Sequence, residues 1–295
     1  MGTDRRYNRS HGFTLIELSI VLVIIGLIVG GILVGQTLIN AATVRAQITQ
    51  IEKFQTAANT FYGKYGALPG DITPQAVTQF GFTAGAARSG GVGDGDGNGE
   101  LDEPGTSYGQ GGENLYFWED LSTNSHLIEG GFNAATGPDT FGTCVSIATC
   151  SVYFPYAKIG NGAFIYVYSG YVQVTCCNSY HKGPNFFGLG FINGLAVDGN
   201  PDSDMTGFPA PALTVAQAYS IDKKIDDGLP TTGNVLAQGL TPWALSGGGW
   251  WVNGASPSAT TCYDTSSGTA AYSIEYQNGA LVNCGISFKM QAGDQ

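Results

Sequence analysis

Phe13 to Val34 reads FTLIELSIVLVIIGLIVGGILV, twenty-two residues with a single charge, Glu17. At 1.5 Å per residue a helix there spans about 33 Å, enough to cross the hydrocarbon of a bilayer. The twelve residues before it are polar and basic, Arg5, Arg6 and Arg9 outweighing Asp4. Such a leader stays in the cytoplasm and sends the remainder outward, predicting an N-in, C-out, single-pass topology. A secretory signal peptide needs a short apolar core followed by a small-residue cleavage site. Here the run is long, GQTLINAATV after it offers no A-x-A, and Gly12 stands just before it. Cleavage ahead of the run would keep the helix in the mature chain.

Beyond the bilayer the helix is predicted to continue. Val44, Ile48, Ile51, Phe54, Ala58 and Phe61 recur at spacings of three and four, the stripe by which an amphipathic helix packs on a globular head. Leu68-Pro69-Gly70-Asp71 is a turn signal and marks the latest end, so the helix covers about 50 residues, or about 75 Å. Expected segments are a leader at 1–12, a transmembrane part at 13–35, an amphipathic continuation at 36–65 and a head at 66–295. Gly26, Gly30, Gly31 and Gly35 permit close helix packing or local melting, and equally suit a plain membrane helix.

GFTLIE at Gly12–Glu17, running into an uninterrupted apolar helix, resembles the type III signal of type IV prepilins and type II secretion pseudopilins. The resemblance implies a prepilin peptidase that cuts between Gly12 and Phe13 and methylates the new amino terminus. It also gives Glu17 a role. An ionised carboxylate in hydrocarbon costs several kcal/mol and persists only with a partner or a function. Cleavage creates a partner in the α-amino group of Phe13 on a neighbouring subunit, and the pairing would drive and register assembly. The expected fold is α+β and pilin-like: a long N-terminal membrane-spanning helix on an antiparallel β-sheet head with a large loop insertion. Outside Gly12 to about Tyr65 the likeness is patchy, although LPGD, FWED and IDKKIDDGLP are similar to stretches of large bacterial prepilin-like proteins.

The composition, 45 glycines, 43% apolar and 12% charged residues, suits a loop-rich β structure. A net charge of −11 leaves no basic stripe beyond the leader, so nucleic acid is not an expected partner. Six cysteines, Cys144, Cys150, Cys176, Cys177, Cys262 and Cys284, all lie downstream of the membrane segment and suggest disulfides in an oxidising compartment. A metal reading is weaker, since no CxxC occurs and His181 stands alone near Cys176 and Cys177. Those adjacent cysteines would point to opposite faces of a strand. Each is expected to pair elsewhere, with Cys144 and Cys150 in either order, and a direct Cys144–Cys150 bridge stays open.

Between Gly81 and Gly112 the chain is glycine-rich and lacks apolar periodicity, which predicts a long inserted loop. It holds Asp94-Gly-Asp96-Gly-Asn98-Gly99-Glu100-Leu101-Asp102, the first nine positions of an EF-hand calcium loop, with oxygen ligands alternating and glycine sixth. Calcium would be held by the side chains of Asp94, Asp96, Asn98 and Asp102 and the carbonyl of Glu100. The twelfth position departs, being Gly105, and Glu103 or Glu113 would have to substitute. The plain alternative is a solvated acidic turn. Asp198 to Asp204 shows a similar alternation with a proline in it, and reads as a loop.

A short helix is expected from Leu115 to Leu127, with Phe117, Trp118, Leu121 and Leu127 inward. Strands are expected at Ala163–Tyr168, Tyr171–Cys176 and Phe186–Ile192. A further helix starts at a Thr214/Gln217 capping box and stops at Gly228 and Pro230, with Asp222, Asp226 and Asp227 on its rim. Asn278-Gly279 predicts a hairpin between Tyr272–Tyr276 and the alternating Val282, Cys284, Ile286, Phe288 and Met290. Cys262 and Cys284 can then tie a 22-residue loop to that strand, resembling the disulfide-bounded C-terminal loop of many type IV pilins.

Function is expected to be structural rather than catalytic: a filament subunit whose partners are like subunits, the prepilin peptidase, the inner-membrane assembly machinery and the membrane. The rival reading is a membrane-anchored extracellular enzyme or carbohydrate-binding module, suggested by Trp243, Trp250 and Trp251, residue types more often found in cores. After cleavage only His126 and His181 remain, and no HExxH motif occurs. Localisation is expected at the bacterial inner membrane, then in a periplasmic or surface filament.

Overall fold

The computed structural model describes residues 14–82, 88, 95–101, 112–132, 150–169, 184–191, 211–237 and 257–293. The chain divides into two compact units, Met1–Ala42 and Thr43–Gln295. Helix α1 runs Leu15–Tyr65, 51 residues, and is long and apolar enough to cross a membrane.

In the first unit α1 is apolar on every side, and its large side chains from Leu15 to Ile39 are exposed. Its few hydroxyls are satisfied inside the helix. Ser19 Oγ donates to the Leu15 carbonyl and Thr37 Oγ1 to the Val34 carbonyl, both at 2.8 Å. A hydroxyl bonded back to its own helix needs no water, which suits hydrocarbon.

In the second unit the rest of α1 buries Val44, Gln47, Ile51, Phe54, Ala57, Ala58 and Phe61, the expected stripe with Ile48 only partly buried and with Gln47 and Ala57 added. Gln47 is there for the backbone: its Oε1 accepts from the Ile159 amide at 3.0 Å. Gln50, one turn on, accepts from Lys158 N–H and donates to the Tyr156 carbonyl.

The sheet has four antiparallel strands in the order β1-β2-β8-β4, namely Ala163–Ser169, Asn185–Phe191, Ile286–Lys289 and Val235–Ala237. One register row runs Val167, Phe187, Phe288, Val235. Phe187 meets Phe54 of α1 (6.5 Å between ring centroids) and Phe117 of α3, which spans Gly112–Glu119 (5.7 Å). Trp118 completes that aromatic layer at 5.0 Å from Phe54, edge to face, the arrangement favoured by ring quadrupoles. On the opposite face Tyr166 lies across Gly188, where a Cβ would come within 2.2 Å of the ring.

Two expectations are revised, and one helix is added. The helix predicted to reach Leu127 ends at Glu119 and widens into a π-turn, Asp120–Asn124, in which the Ser125 amide and Oγ both bond the Asp120 carbonyl. A second helix, α2 (Pro74–Phe80), follows the Leu68 turn. Its signals stood in the sequence: Thr73 caps it, Pro74 takes the first position, and Gly81 ends it at φ 69°.

The C-terminal hairpin does not form. Gln277 and Asn278 are left-handed, but Tyr276–Gly279 is a 3₁₀ turn. β7 (Val282–Cys284) pairs with β3 (Leu213–Thr214), while β6 (Ala271–Tyr272) pairs with β5 (Tyr263–Asp264). The alternation marked Cys284, Ile286, Phe288 and Met290 as buried, missed that Val282 is exposed, and could not say which strands they meet. Helix α4 (Val215–Ile225) has the expected capping box, Thr214 with Gln217. The segment 171–176 lies outside the described residues.

Candidate functional site

Among the described residues, chemistry-bearing side chains come together at the start of α1, around the glycine-rich loop and at Asp222, Asp226 and Asp227. At the start of α1, Thr14 is the capping residue and Glu17 the third helical position, the T-x-x-E form of a capping box. The Thr14 N–H and Oγ1 donate to Glu17 Oε2 at 2.8 and 2.7 Å, and the Glu17 N–H donates back to Thr14 Oγ1 at 3.3 Å. Gly12 and Phe13 lie outside the described residues.

The second place is in the head, where the glycine-rich loop meets two buried carboxylates. Asp71, from the LPGD turn, accepts N–H bonds from Gly97 (2.7 Å), Asn98 (3.1 Å) and Gly99 (2.7 Å). Glu113, at the start of α3, accepts from Gly95 (2.8 Å) and Asp96 (3.4 Å). Five consecutive amides thus face two carboxylates, made possible by positive φ at Gly95, Gly97 and Gly99. A Cβ at Gly95 would lie 2.5 Å from the Ile72 carbonyl.

Asp71, Asp96 and Glu113 offer carboxylate oxygens within 4.8 Å of one another. Burial pushes Asp71 up to about 7, against the three amides that lower it, and the nearby Asp96 charge adds to the rise.

Of the proposed calcium ligands, Asp96 lies in this cluster. Asn98 turns back into its own loop, its Nδ2 on Asp96 Oδ2 (3.1 Å) and its Oδ1 on the Glu100 amide (2.6 Å). Glu100 is buried. Asp94 and Asp102 lie outside the described residues. Asp71 entered the sequence reading only as a turn residue, and no local pattern shows a chain fold that returns it to a loop 26 positions later. Glu113, weighed there as a substitute ligand, is brought to the same place. Asn185 of β2 fastens the loop's far end: its Oδ1 accepts from Leu101 N–H and its Nδ2 donates to the Gly99 carbonyl.

Beside the loop sits a buried ion pair that sequence reading missed. Arg88 Nη2 contacts Asp120 Oδ1 at 2.7 Å, with both side chains almost fully buried, and the guanidinium lies over the Tyr116 ring at 4.4 Å. Asp120 also accepts from Gly70 N–H (2.7 Å) and Asn124 Nδ2 (2.9 Å). A charged residue inside a glycine-rich stretch was the available signal.

Cys262 and Cys284 form a disulfide, with Cα atoms 5.0 Å apart. Cys150 is disulfide-bonded too; Cys144, Cys176 and Cys177 lie outside the described residues. So do His181, Trp243, Trp250, Trp251 and a Gly-x-Ser-x-Gly spacing at Gly105–Gly109. Asp222 is not a rim residue. It is fully buried, accepting from Tyr272 Oη (2.9 Å) and Gly228 N–H (3.0 Å), and burial pushes it up to about 6.

Residues 7–33 match the prokaryotic N-terminal methylation motif. No curated protein and no solved structure matches the chain. The segment that opens α1 is therefore the prepilin signal of type IV pilins and pseudopilins, carried by an α+β chain with a long apolar N-terminal helix. The motif supports a pilin- or pseudopilin-like precursor anchored in a membrane.

Proposed function

We propose that this protein is a structural subunit of a type IV pilus-like or type II secretion pseudopilus filament. Prepilin peptidase cuts it between Gly12 and Phe13, and it assembles through α1, turning over no substrate. The observation that carries this reading is the methylation motif at residues 7–33, continuous with an apolar run, Phe13 to Val34, that holds one carboxylate, Glu17. A carboxylate kept in an otherwise uniform apolar run points to a charged partner within the membrane or the filament core. Intact mass and N-terminal sequencing of assembled protein test it. A mature chain beginning at Phe13 is expected; a retained leader, or a cut beyond the apolar helix, overturns it.

The acidic loop supports a second element of the proposal, that the head takes calcium. The donors brought together are hard carboxylate oxygens, the chemistry this ion selects. Asp71, Asp96 and Glu113 would hold it, and bound calcium would offset the mutual repulsion of the three carboxylates. Calorimetry on the full chain in detergent, with calcium and with chelator, decides the matter.

A further inference from the structure

We propose that Asn278 is a self-modification site, where the folded head converts its own asparagine into aspartate and isoaspartate with loss of ammonia. The proposal stands independently of the filament reading. Three Asn-Gly pairs fall among the described residues: Asn98-Gly99, Asn161-Gly162 and Asn278-Gly279. In such a pair glycine puts no Cβ beside the attacking nitrogen, so the chemistry is little hindered by the sequence itself. The structure treats the three pairs differently.

The reaction needs no reagent beyond water. The glycine nitrogen loses its proton to hydroxide and bonds to the asparagine Cγ; the Cγ–Nδ2 bond breaks, and ammonia leaves with a proton taken from water. Water then opens the cyclic imide at either carbonyl, leaving aspartate or isoaspartate. A pair resists when its amide proton is held by an anion, which opposes the nitrogen becoming negative, or when its side chain is bonded elsewhere.

At Asn98 both restraints operate. The Gly99 N–H donates to Asp71 Oδ2 at 2.7 Å, and the asparagine side chain is fixed by the Glu100 amide and by Asp96. At Asn161 the side chain is held, Nδ2 donating to the Ala212 carbonyl at 3.0 Å. Asn278 is exposed, and among the described residues its side chain makes no hydrogen bond and no carboxylate accepts the Gly279 N–H. Gln277 and Asn278 are successive left-handed residues, at φ 48° and 52°, so leaving this turn for the imide releases backbone strain. Gly279 lies against α4, where a Cβ would come within 3.0 Å of the Ala216 nitrogen. The new carboxylate, and the lengthened backbone of isoaspartate, would fall inside the loop closed by Cys262 and Cys284 and beside that contact.

The test incubates the full chain in detergent in mildly alkaline buffer and follows each Asn-Gly peptide by mass spectrometry, with isoaspartate scored by enzymatic methylation. Asn278 should convert about tenfold or more faster than Asn98, the scale of one hydrogen bond to a charged group, and ahead of Asn161 as well. In concentrated urea with the disulfides reduced the differences should collapse, since they come from the fold. Asn278→Gln should remove isoaspartate from its own peptide, because the larger imide ring closes far more slowly, and should leave conversion at Asn98 and Asn161 unchanged. Conversion at Asn98 or Asn161 equal to or ahead of Asn278 in the folded chain overturns the proposal. So does an order of rates that persists unchanged in urea, since the fold would then have no part in it.

Discussion

The amino-terminal segment and the acidic loop each place carboxylates among apolar residues, and they satisfy them in opposite ways. Glu17 is met by its own helix, three residues back, through a hydroxyl and an amide of Thr14. Asp71 and Glu113 are met by five amides of a segment some twenty residues away in the chain. A local arrangement survives whatever the rest of the chain does, so it can be carried into a membrane or a filament intact. The long-range arrangement exists only once the head has folded, and it ties head stability to the loop.

That contrast is broken most directly at Glu17. Glu17→Ala should leave the head's thermal melt unchanged and lower filament yield at least tenfold, because the lost partner lies outside the head. Filament quantification beside circular dichroism of the head checks this, and wild-type filament levels would show that Glu17 is dispensable.

A change at Arg88 should do the reverse, reaching the head first. Arg88→Met strands Asp120 as an uncompensated buried charge and should cost about 3–5 kcal/mol in denaturant unfolding. Adding Asp120→Asn should recover much of that, since the amide retains a side-chain oxygen for Gly70 N–H. No recovery would mean that Arg88 acts through its packing on Tyr116.

Calcium sharpens the loop side of the comparison. Saturating calcium at 100 times its dissociation constant should raise head stability by about 2.7 kcal/mol and protect the glycine-rich insertion from proteolysis. Asp96→Ala and Asp71→Asn should abolish the binding heat. Neither heat nor protection would leave the cluster a purely structural junction.

The head should also show a pH dependence at Asp222. Its folded-state pKa is raised to about 6, above the ordinary carboxylate range. The native state therefore holds this proton where the unfolded chain has released it. The stabilising contribution is full below about pH 4 and is lost as pH rises through 6, with a slope of at most about 1.4 kcal/mol per pH unit. Asp222→Asn should flatten that slope while keeping an acceptor for Tyr272. An unchanged profile would place the titration elsewhere.

Sequence by itself determined the amino-terminal half of this account. Glu17, the apolar run, the Val44–Phe61 stripe and the Thr214 capping box are all patterns within one or a few helical turns, and helical hydrogen bonds are local, so reading the spacing reads the structure. The alternation at Cys284–Met290 was legible for the same reason. The tertiary structure alone decided what those faces meet. Asp71 joined Asp96 and Glu113, Arg88 found Asp120, and β7 took β3 instead of a neighbouring strand, each a contact between chain segments far apart in the sequence. Burial selects partners by which combination of surfaces removes the most apolar area from water while satisfying every buried polar group, a property of the whole chain that no local window contains.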